Sequence, residues 1–166
     1  MIIIICGVSG SGKSTIGRQL ADVLAFDFHD ADDFHPPANI AKLRKNLALT
    51  DEDRMPWLTK LNTEVIAWNA DGGAVLACSA LKERYRQKLS SSLNGDVRWV
   101  VLHGDEKLLR NRLEAREGHF VGPGLLASQL RDFEVPDYGY HFNIEAKPAS
   151  IVSNLQSLLT QKKTET

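Results

Sequence analysis

The sequence is poor in cysteine and in long apolar runs, and both absences exclude classes of protein. Only two of its 166 residues are cysteine, Cys6 and Cys78, and both lie in short apolar runs. A secreted scaffold held together by disulfides is therefore excluded, and a reducing, cytoplasmic location is expected. The longest apolar run, Met1–Cys6, is far shorter than the roughly 20 residues of a membrane span and lacks the features of a signal peptide.

An excess of charge of one sign is also missing. The 20 Lys and Arg residues balance 21 Asp and Glu residues, so the formal net charge is -1. A chain with this balance has no overall field for holding nucleic acid or an anionic membrane, and we expect neither as a partner. The length and the hydrophobic content of 43% fit a single domain over residues 1–166.

The apolar pattern predicts strands that alternate with helices. The β-branched run Ile2–Ile5 indicates a strand buried on both faces, and the apolar stripe that begins at Ile16 indicates an amphipathic helix. This alternation predicts a three-layer α/β/α domain around a mainly parallel, five-stranded sheet. The other predicted strands are 26–29, 74–78, 97–103 and 140–144, and the other short helices are 36–46, 80–93, 105–116, 125–134 and 149–159.

A longer helix is predicted in the middle of the chain, but its start stays open. Thr50 and Asp53 have the spacing of a capping box, whereas Pro56 predicts a break in a helix already under way. The apolar stripe of this helix consists of Leu58, Leu61, Val65 and Trp68.

The segment Gly7–Ser14 matches the phosphate-binding pattern G-x-x-x-x-G-K-[ST], between a predicted strand and a predicted helix. Its glycines allow backbone N–H groups to turn around phosphate oxygens, Lys13 reaches the β and γ phosphates, and the Ser14 hydroxyl can bind Mg²⁺. The motif alone does not choose among a kinase, a GTPase, a motor and a regulatory ATPase. No guanine-reading [NT]-K-x-D tetrapeptide is present, which argues against a GTPase.

Acidic residues follow the second predicted strand. Asp30 and Asp32 would share one face if the extended backbone continued, and a carboxylate there could accept a substrate hydroxyl proton or hold metal-bound water. The alternatives are a solvated acidic loop before the next helix and, because His29 and His35 flank the acids, a metallohydrolase cluster.

Basic residues supply candidate contacts to phosphate and to an anionic acceptor. Arg112 and Arg116 are spaced i and i+4 on one helix face just before a glycine-rich stretch, so they could close over a nucleotide, although an ordinary charged surface explains them equally simply. An arginine fork also matches a carboxylate or phosphate. The further candidates for that role are Arg54, Lys82, Arg84 and Arg86.

Several longer blocks resemble the gluconate kinase family. They follow in the family's order and extend over 7–136, and the Asp-Phe-His-Pro and Arg-x-Pro-Trp-Leu elements are more specific than the P-loop. The blocks are Gly7–Ser14, Asp30–Pro36, Thr50–Leu58, Cys78–Arg86 and Arg116–Phe120.

The resemblance implies an enzyme that uses ATP and Mg²⁺ to phosphorylate the 6-hydroxyl of D-gluconate, with the fold of nucleoside monophosphate kinases and shikimate kinase. It also implies a cytoplasmic homodimer. Carried over by position, it implies Lys13, Asp32, Arg112 and Arg116 as catalytic residues, with Asp32 near the acceptor hydroxyl, and Ser14 as the Mg²⁺ ligand, with Asp30 or Asp32 acting through water. ATP would contact Gly7, Val8, Ser9, Gly10, Ser11, Gly12, Lys13, Ser14, Thr15, Arg112 and Arg116, and gluconate would contact Asp32, His35, Arg54, Lys82, Arg86 and His119.

We also predict one mobile and one frayed region, and two alternatives to a gluconate kinase stay open. We expect a mobile lid around 112–124, where Gly122-Pro123-Gly124 departs from the family pattern, and a frayed tail over 160–166. Another small-molecule kinase of this fold, acting on shikimate, a nucleoside monophosphate or a different sugar acid, stays open. A non-catalytic nucleotide-binding module is the alternative from another class.

Overall fold

The computed structural model describes residues 1–93, 95, 97–115 and 123–161. Within them, five parallel strands form a single sheet in the order β2-β3-β1-β4-β5. The central strand, β1, is completely buried, as its uninterrupted apolar sequence predicts for a sheet covered on both faces. The strands are β1 (Ile2–Cys6), β2 (Asp27–Asp30), β3 (Ala74–Ala77), β4 (Val97–His103) and β5 (Tyr140–Asn143).

The helices alternate with the strands and cover the sheet, which confirms the predicted α/β/α class. The helix after β1 packs against the last helix of the chain, and the two helices on either side of β3 pack against each other. The helices are α1 (Lys13–Leu24), α2 (Pro37–Arg44), α3 (Asp51–Ala70), α4 (Glu83–Ser90), α5 (Glu106–Glu114), α6 (Pro123–Asp132) and α7 (Pro148–Gln161), and a 3-10 turn spans Ala31–Phe34.

The strand order places the functional edge of the sheet. The connection after β1 leads to β2 on one side of the sheet, and the connection after β3 passes β1 to reach β4 on the other side. In open parallel sheets, ligands bind outside the carboxyl ends of the strands at such a switch point. The P-loop follows β1 directly at this point, and the carboxyl ends of β2 and β3 lie on the same edge.

The structure decides the open start of the long helix and shortens another predicted helix, for local reasons. Pro56 does not break α3, which begins at Asp51 behind the Thr50–Asp53 capping box; Pro56 and Glu52 are exposed, so solvent can satisfy the Glu52 carbonyl that a proline cannot bond. The helix predicted over 80–93 is shorter, Glu83–Ser90, because Ala80 has a left-handed φ of 40° that a right-handed helix cannot contain.

Much of the predicted lid lies outside the described residues. Residues 112–114 belong to α5 and 123–124 to α6, while 116–122 are not described. The predicted frayed tail overlaps the end of α7, which continues to Gln161. In the described part of the chain, no helix combines the length and the apolar character that a bilayer crossing requires.

The capping box should contribute measurably to stability, because it begins the helix that carries Arg54. The Thr50 hydroxyl accepts a hydrogen bond from Asp53 N at 3.2 Å, and Asp53 Oδ2 accepts one from Thr50 N at 2.9 Å. We expect Thr50→Ala to lower the free energy of unfolding in urea by about 1 kcal/mol. Thr50→Ser, which keeps the hydroxyl, is the matched control. Equal stability of the two variants would contradict this role.

Candidate active site

The P-loop closes tightly around the start of α1. Gly10 and Gly12 have φ values of 82° and 92°, which favour glycine, and a Cβ on Gly10 would lie 2.9 Å from the Leu109 carbonyl oxygen of α5. The loop is therefore held between α1 and α5. α1 begins directly after the loop, so the positive end of its helix dipole lies at the loop. This end of a helix suits an anion.

Lys13 and Ser14 connect the loop to β2. Lys13 Nζ donates to the Val8 carbonyl at 3.0 Å, and burial lowers the pKa of its ammonium, with the nearby carboxylates of Asp32 and Asp30 opposing the shift. Ser14 Oγ donates to Asp30 Oδ2 at 2.6 Å. The side chains that the motif assigned to phosphate and Mg²⁺ thus lie near Asp30, the last residue of β2.

The two acids reach the pocket by a different route from the predicted one. β2 ends at Asp30, and Asp32 lies in the 3-10 turn, so the extended backbone does not continue and the shared strand face is wrong. Asp30 Oδ1 caps the turn by accepting from Asp32 N at 3.2 Å. The Asp32 side chain, 48% exposed, extends into the same opening, with Oδ1 3.8 Å from His35 Nε2.

His35 is a neutral group in the pocket wall. Its ring stacks on Trp57 with centroids 4.2 Å apart, and Nδ1 lies 3.3 Å from the buried Asn39 amide nitrogen. Burial, together with the charge of Arg54, lowers the pKa of His35 to about 4, against an opposing effect of Asp30. His35 is therefore uncharged at neutral pH, where it can exchange hydrogen bonds with hydroxyl groups.

Arg54 is a buried cation that α3 contributes to the pocket wall. It lies on α3 three residues before Trp57, whose Nε1 donates to the Ala31 carbonyl at 2.8 Å and so ties α3 to the acidic turn. Arg54 is only 8% exposed. Its Nε is buried and has no hydrogen-bond partner among the described residues, which is unusual for a guanidinium donor. An anion in the pocket would satisfy it.

One partly enclosed cleft, called here the P-loop pocket, brings these groups together. Residues of the phosphate-binding loop line it together with acidic and basic side chains from other parts of the chain. This arrangement is suited to phosphoryl transfer onto an anionic acceptor. Its lining residues are Ser9, Gly10, Gly12, Lys13, Ser14, Asp30, Asp32, His35, Leu43, Leu49, Arg54, Ala77, Cys78, Ser79, Leu113 and Gln129.

The positions of His29 and His35 do not favour the metallohydrolase hypothesis. His29 stacks on Trp68 with centroids 3.8 Å apart, whereas His35 stacks on Trp57. Over the described ranges, no group of three or more His, Cys, Asp or Glu side chains is arranged to hold a metal. Cys78 lines the pocket, but burial raises its pKa to about 12, so it is a protonated thiol at neutral pH.

Other predicted site residues lie away from the pocket. Lys82 pairs with Asp51 at 3.2 Å, and Arg112 Nη2 donates to the Ile144 carbonyl at 2.8 Å, which holds it beside the loop after β5. The P-loop residues that do not line the pocket are Gly7, Val8, Ser11 and Thr15. Arg116 and His119 lie outside the described residues.

Arg86 corrects the prediction of a substrate contact. It is 1% exposed, and its guanidinium nitrogens donate to acceptors inside the protein. Its side chain thus ties the start of α4 to the segment after α6 and does not line the P-loop pocket. The acceptors are the carbonyls of Ala80, Leu81 and Glu134, the Glu83 carboxylate and the Tyr138 hydroxyl, at 2.7–3.1 Å.

Sequence reasoning missed two polar residues that the structure brings to the site. Gln129 of α6 accepts a hydrogen bond from Ser9 N, and Asn39 of α2 supports His35 while donating to the Asp53 carbonyl at 2.9 Å. Gln129 lies one turn after the buried pair Leu125 and Leu126. A polar residue on the core-facing side of a predicted helix was the available signal.

Comparisons with known proteins agree with this geometry. Residues 3–123 match a family described as "AAA domain". The chain is similar to the gluconokinase of Arabidopsis thaliana, with 39% identity over 95% of this chain and 92% of that protein, and to a probable gluconokinase of Dictyostelium discoideum, with 45% identity over 82% and 71%. The solved structure of a gluconokinase from Sinorhizobium meliloti 1021 has a TM-score of 0.86 at 36% identity, covering 99% of this chain and 96% of that one.

The corrected role of Arg86 predicts a loss of stability. Arg86→Met would leave several buried acceptors without donors, so we expect the free energy of unfolding to fall by about 3–5 kcal/mol in urea denaturation. Arg84→Met is the control on the same helix, because the Arg84 side chain is 55% exposed and its ion pair with Asp51 contributes about 1 kcal/mol or less. Wild-type stability of Arg86→Met would overturn the structural role.

Proposed function

Because this chain belongs to the gluconokinase family, we propose that it transfers a phosphoryl group from ATP to the 6-hydroxyl of D-gluconate, giving 6-phospho-D-gluconate and ADP. The observation that carries the proposal is the P-loop pocket, in which Lys13 and Ser14 share one cleft with Asp32 and with the unpaired donor of Arg54. This cleft provides both a phosphate-binding element and a cation for a carboxylate.

ATP would bind with its phosphates in the P-loop. The backbone N–H groups between Gly10 and Ser14 and the dipole of α1 would hold the phosphate oxygens, and Lys13 would leave the Val8 carbonyl to contact the β and γ phosphates. Arg112, beside the loop after β5, and Arg116 would bind the nucleotide from α5 and the segment that follows it. These ATP contacts remain proposals.

The oxygen atoms beside the P-loop fit Mg²⁺. Ser14 Oγ and Asp30 Oδ2 form a hydroxyl–carboxylate pair of the type that a magnesium ion uses together with water and phosphate oxygens. Ser14 would be a direct ligand, and Asp30 or Asp32 would act through water. When bound, the ion would neutralise charge on the β and γ phosphates.

Arg54 and His35 suit the two ends of a sugar acid. The buried guanidinium of Arg54 would pair with the carboxylate of gluconate, which would satisfy its unpaired Nε. His35, neutral because its pKa is about 4, offers hydrogen bonds to hydroxyl groups and adds no second cation. Lys82 and His119 are weaker candidates for gluconate contacts, and Lys82 would have to exchange Asp51 for the substrate.

Asp32 would receive the acceptor proton. As the 6-hydroxyl oxygen attacks the γ phosphorus, the bond between that phosphorus and the β–γ bridging oxygen breaks, and the hydroxyl proton passes to the Asp32 carboxylate. ADP leaves with the electron pair of the broken bond. Positioning of the two substrates by Lys13 and Arg54 would supply most of the catalysis.

A homodimer and a cytoplasmic location are also part of the proposal. The dimer rests on the family resemblance. The location is supported by Cys6 and Cys78, which are both buried and free, as expected in a reducing compartment.

The first test measures coupled ADP release with ATP and Mg²⁺ against D-gluconate, shikimate, AMP and other sugar acids. We expect turnover with D-gluconate, and at least a hundredfold loss in Lys13→Met because the P-loop lysine contacts the transferred phosphate. Turnover confined to another acceptor would overturn the proposed substrate. ATP binding without transfer to any acceptor would favour the non-catalytic module.

A second test addresses Arg54. Arg54→Met should raise the KM for D-gluconate by about 10- to 100-fold, because a charge-assisted contact to the carboxylate is lost, while the Kd for ATP stays within about twofold. Arg110→Met is the control, since Arg110 pairs with Glu106 on the surface of α5. A normal KM for D-gluconate in folded Arg54→Met would exclude Arg54 as the carboxylate contact.

A further inference from the structure

Gln129 contacts the P-loop from a distant part of the chain. Its Oε1 accepts a hydrogen bond from Ser9 N at 2.7 Å, across 120 positions of sequence. Leu125 and Leu126, one turn earlier on α6, are 5% and 0% exposed and pack into the protein interior. The Gln129 side chain is thus delivered to the loop by a helix that the core holds in place.

The hydrogen bond locates Gln129 relative to Lys13. The Ser9 N–H and the Val8 carbonyl belong to one peptide unit, which is planar and trans, so the two groups point in opposite directions. The Val8 carbonyl accepts from Lys13 Nζ at 3.0 Å. One peptide of the P-loop is therefore held by Lys13 on one side and by Gln129 on the other.

The second end of the Gln129 amide is available for a ligand. Oε1 must be the atom that faces Ser9 N, because the backbone N–H needs an acceptor, and this leaves Nε2 with two N–H donors. Nε2 has no hydrogen-bond partner among the described residues, and Gln129 lines the P-loop pocket. A neutral donor beside the P-loop lysine suits a phosphate oxygen.

The pocket indicates which phosphate Nε2 would meet. The N–H groups near the start of α1 cradle the inner phosphates, whereas Ser9 lies earlier in the loop. Gln129 lines the same cleft as Asp32 and Arg54, the proposed acceptor side. The transferred phosphoryl group must lie between the donor nucleotide and the acceptor. The P-loop and these acceptor residues line one cavity, so the terminal phosphate is the one that Nε2 would meet.

We propose that Gln129 is a phosphate-binding residue: Oε1 fixes the Val8–Ser9 peptide, and Nε2 donates a hydrogen bond to the terminal phosphate of ATP. The inference rests on the proposed function in that it places ATP in the P-loop. It does not depend on which molecule accepts the phosphoryl group, so nucleotide binding alone can test it.

The test compares the Kd values for ATP and ADP, each with Mg²⁺ and without acceptor, by titration calorimetry. Gln129→Glu keeps the size and an acceptor for Ser9 N but replaces the donor amide with a negative charge, and Gln129→Met keeps the length without either group. We expect the Kd for ATP to rise about tenfold or more in Gln129→Glu and about three- to tenfold in Gln129→Met. The Kd for ADP, which lacks the terminal phosphate, should change at most about threefold.

The controls separate this contact from a general effect on the loop. Gln87→Glu adds the same charge at an exposed position of α4 and should leave both Kd values unchanged. Thermal melting checks that each variant is folded. Equal rises for ATP and ADP would overturn the inference, because they indicate that Gln129 only shapes the loop. Tighter ATP binding in Gln129→Met would also overturn it, since the amide would then occupy a phosphate position.

Turnover of D-gluconate by the wild-type enzyme is measured in the same preparation. If that turnover is absent while ATP binds, the proposed acceptor fails, and the ATP-to-ADP comparison still decides the role of Gln129. If ATP does not bind to the wild-type protein, both the proposed function and this inference fail.

Discussion

The carboxylate of Asp30 joins the two halves of the pocket. One oxygen accepts from the Ser14 hydroxyl in the P-loop, and the other accepts from Asp32 N and so begins the 3-10 turn. The turn carries Asp32, and its Ala31 carbonyl accepts from Trp57 of α3, the helix that presents Arg54. The P-loop and the proposed acceptor side of the pocket are thus linked through a few hydrogen bonds at the end of one strand.

The pocket contains side chains of both charges. Lys13 provides positive charge from the P-loop and Arg54 provides it from α3, while Asp30 and Asp32 contribute carboxylates to the same cleft. Two further polar side chains in the lining, His35 and Gln129, are neutral at pH 7. They can contact hydroxyl and phosphate groups without adding a further buried cation. Burying an unpaired charge is far more costly than burying a paired polar group.

The sequence was sufficient for the parts of the fold that local rules determine. The run Ile2–Ile5, the P-loop and the α1 stripe predict strand, loop and helix because each pattern admits one structure. The Thr50–Asp53 box and Pro56 left the start of α3 open, because the exposure of the turn before Pro56, which lets a proline lie inside the helix, cannot be read from sequence. The Asp30 and Asp32 side chains reached the pocket as expected, although through a turn and not through a shared strand face.

Tertiary contacts decided the rest of the site. Arg86 and Arg54 were both predicted to contact gluconate, yet the carbonyls after β3 and α6 surround Arg86, while Arg54 Nε finds no acceptor among the described residues. Gln129 and Asn39 were missed because their partners are distant backbone groups or the ring of another side chain. Only the packing of helices on the sheet brings such partners together.

The apolar walls of the pocket favour phosphoryl transfer over hydrolysis of ATP. Phosphoryl transfer to a sugar acid competes with attack by water, so the reacting centre has to be kept dry. Leu43, Leu49 and Leu113 contribute apolar surface from three separate parts of the chain, and Gln129 covers the Ser9 N–H that water would otherwise bond. These apolar walls lower the local polarity around Lys13 and Arg54, which strengthens their electrostatic contacts with the anions they would hold.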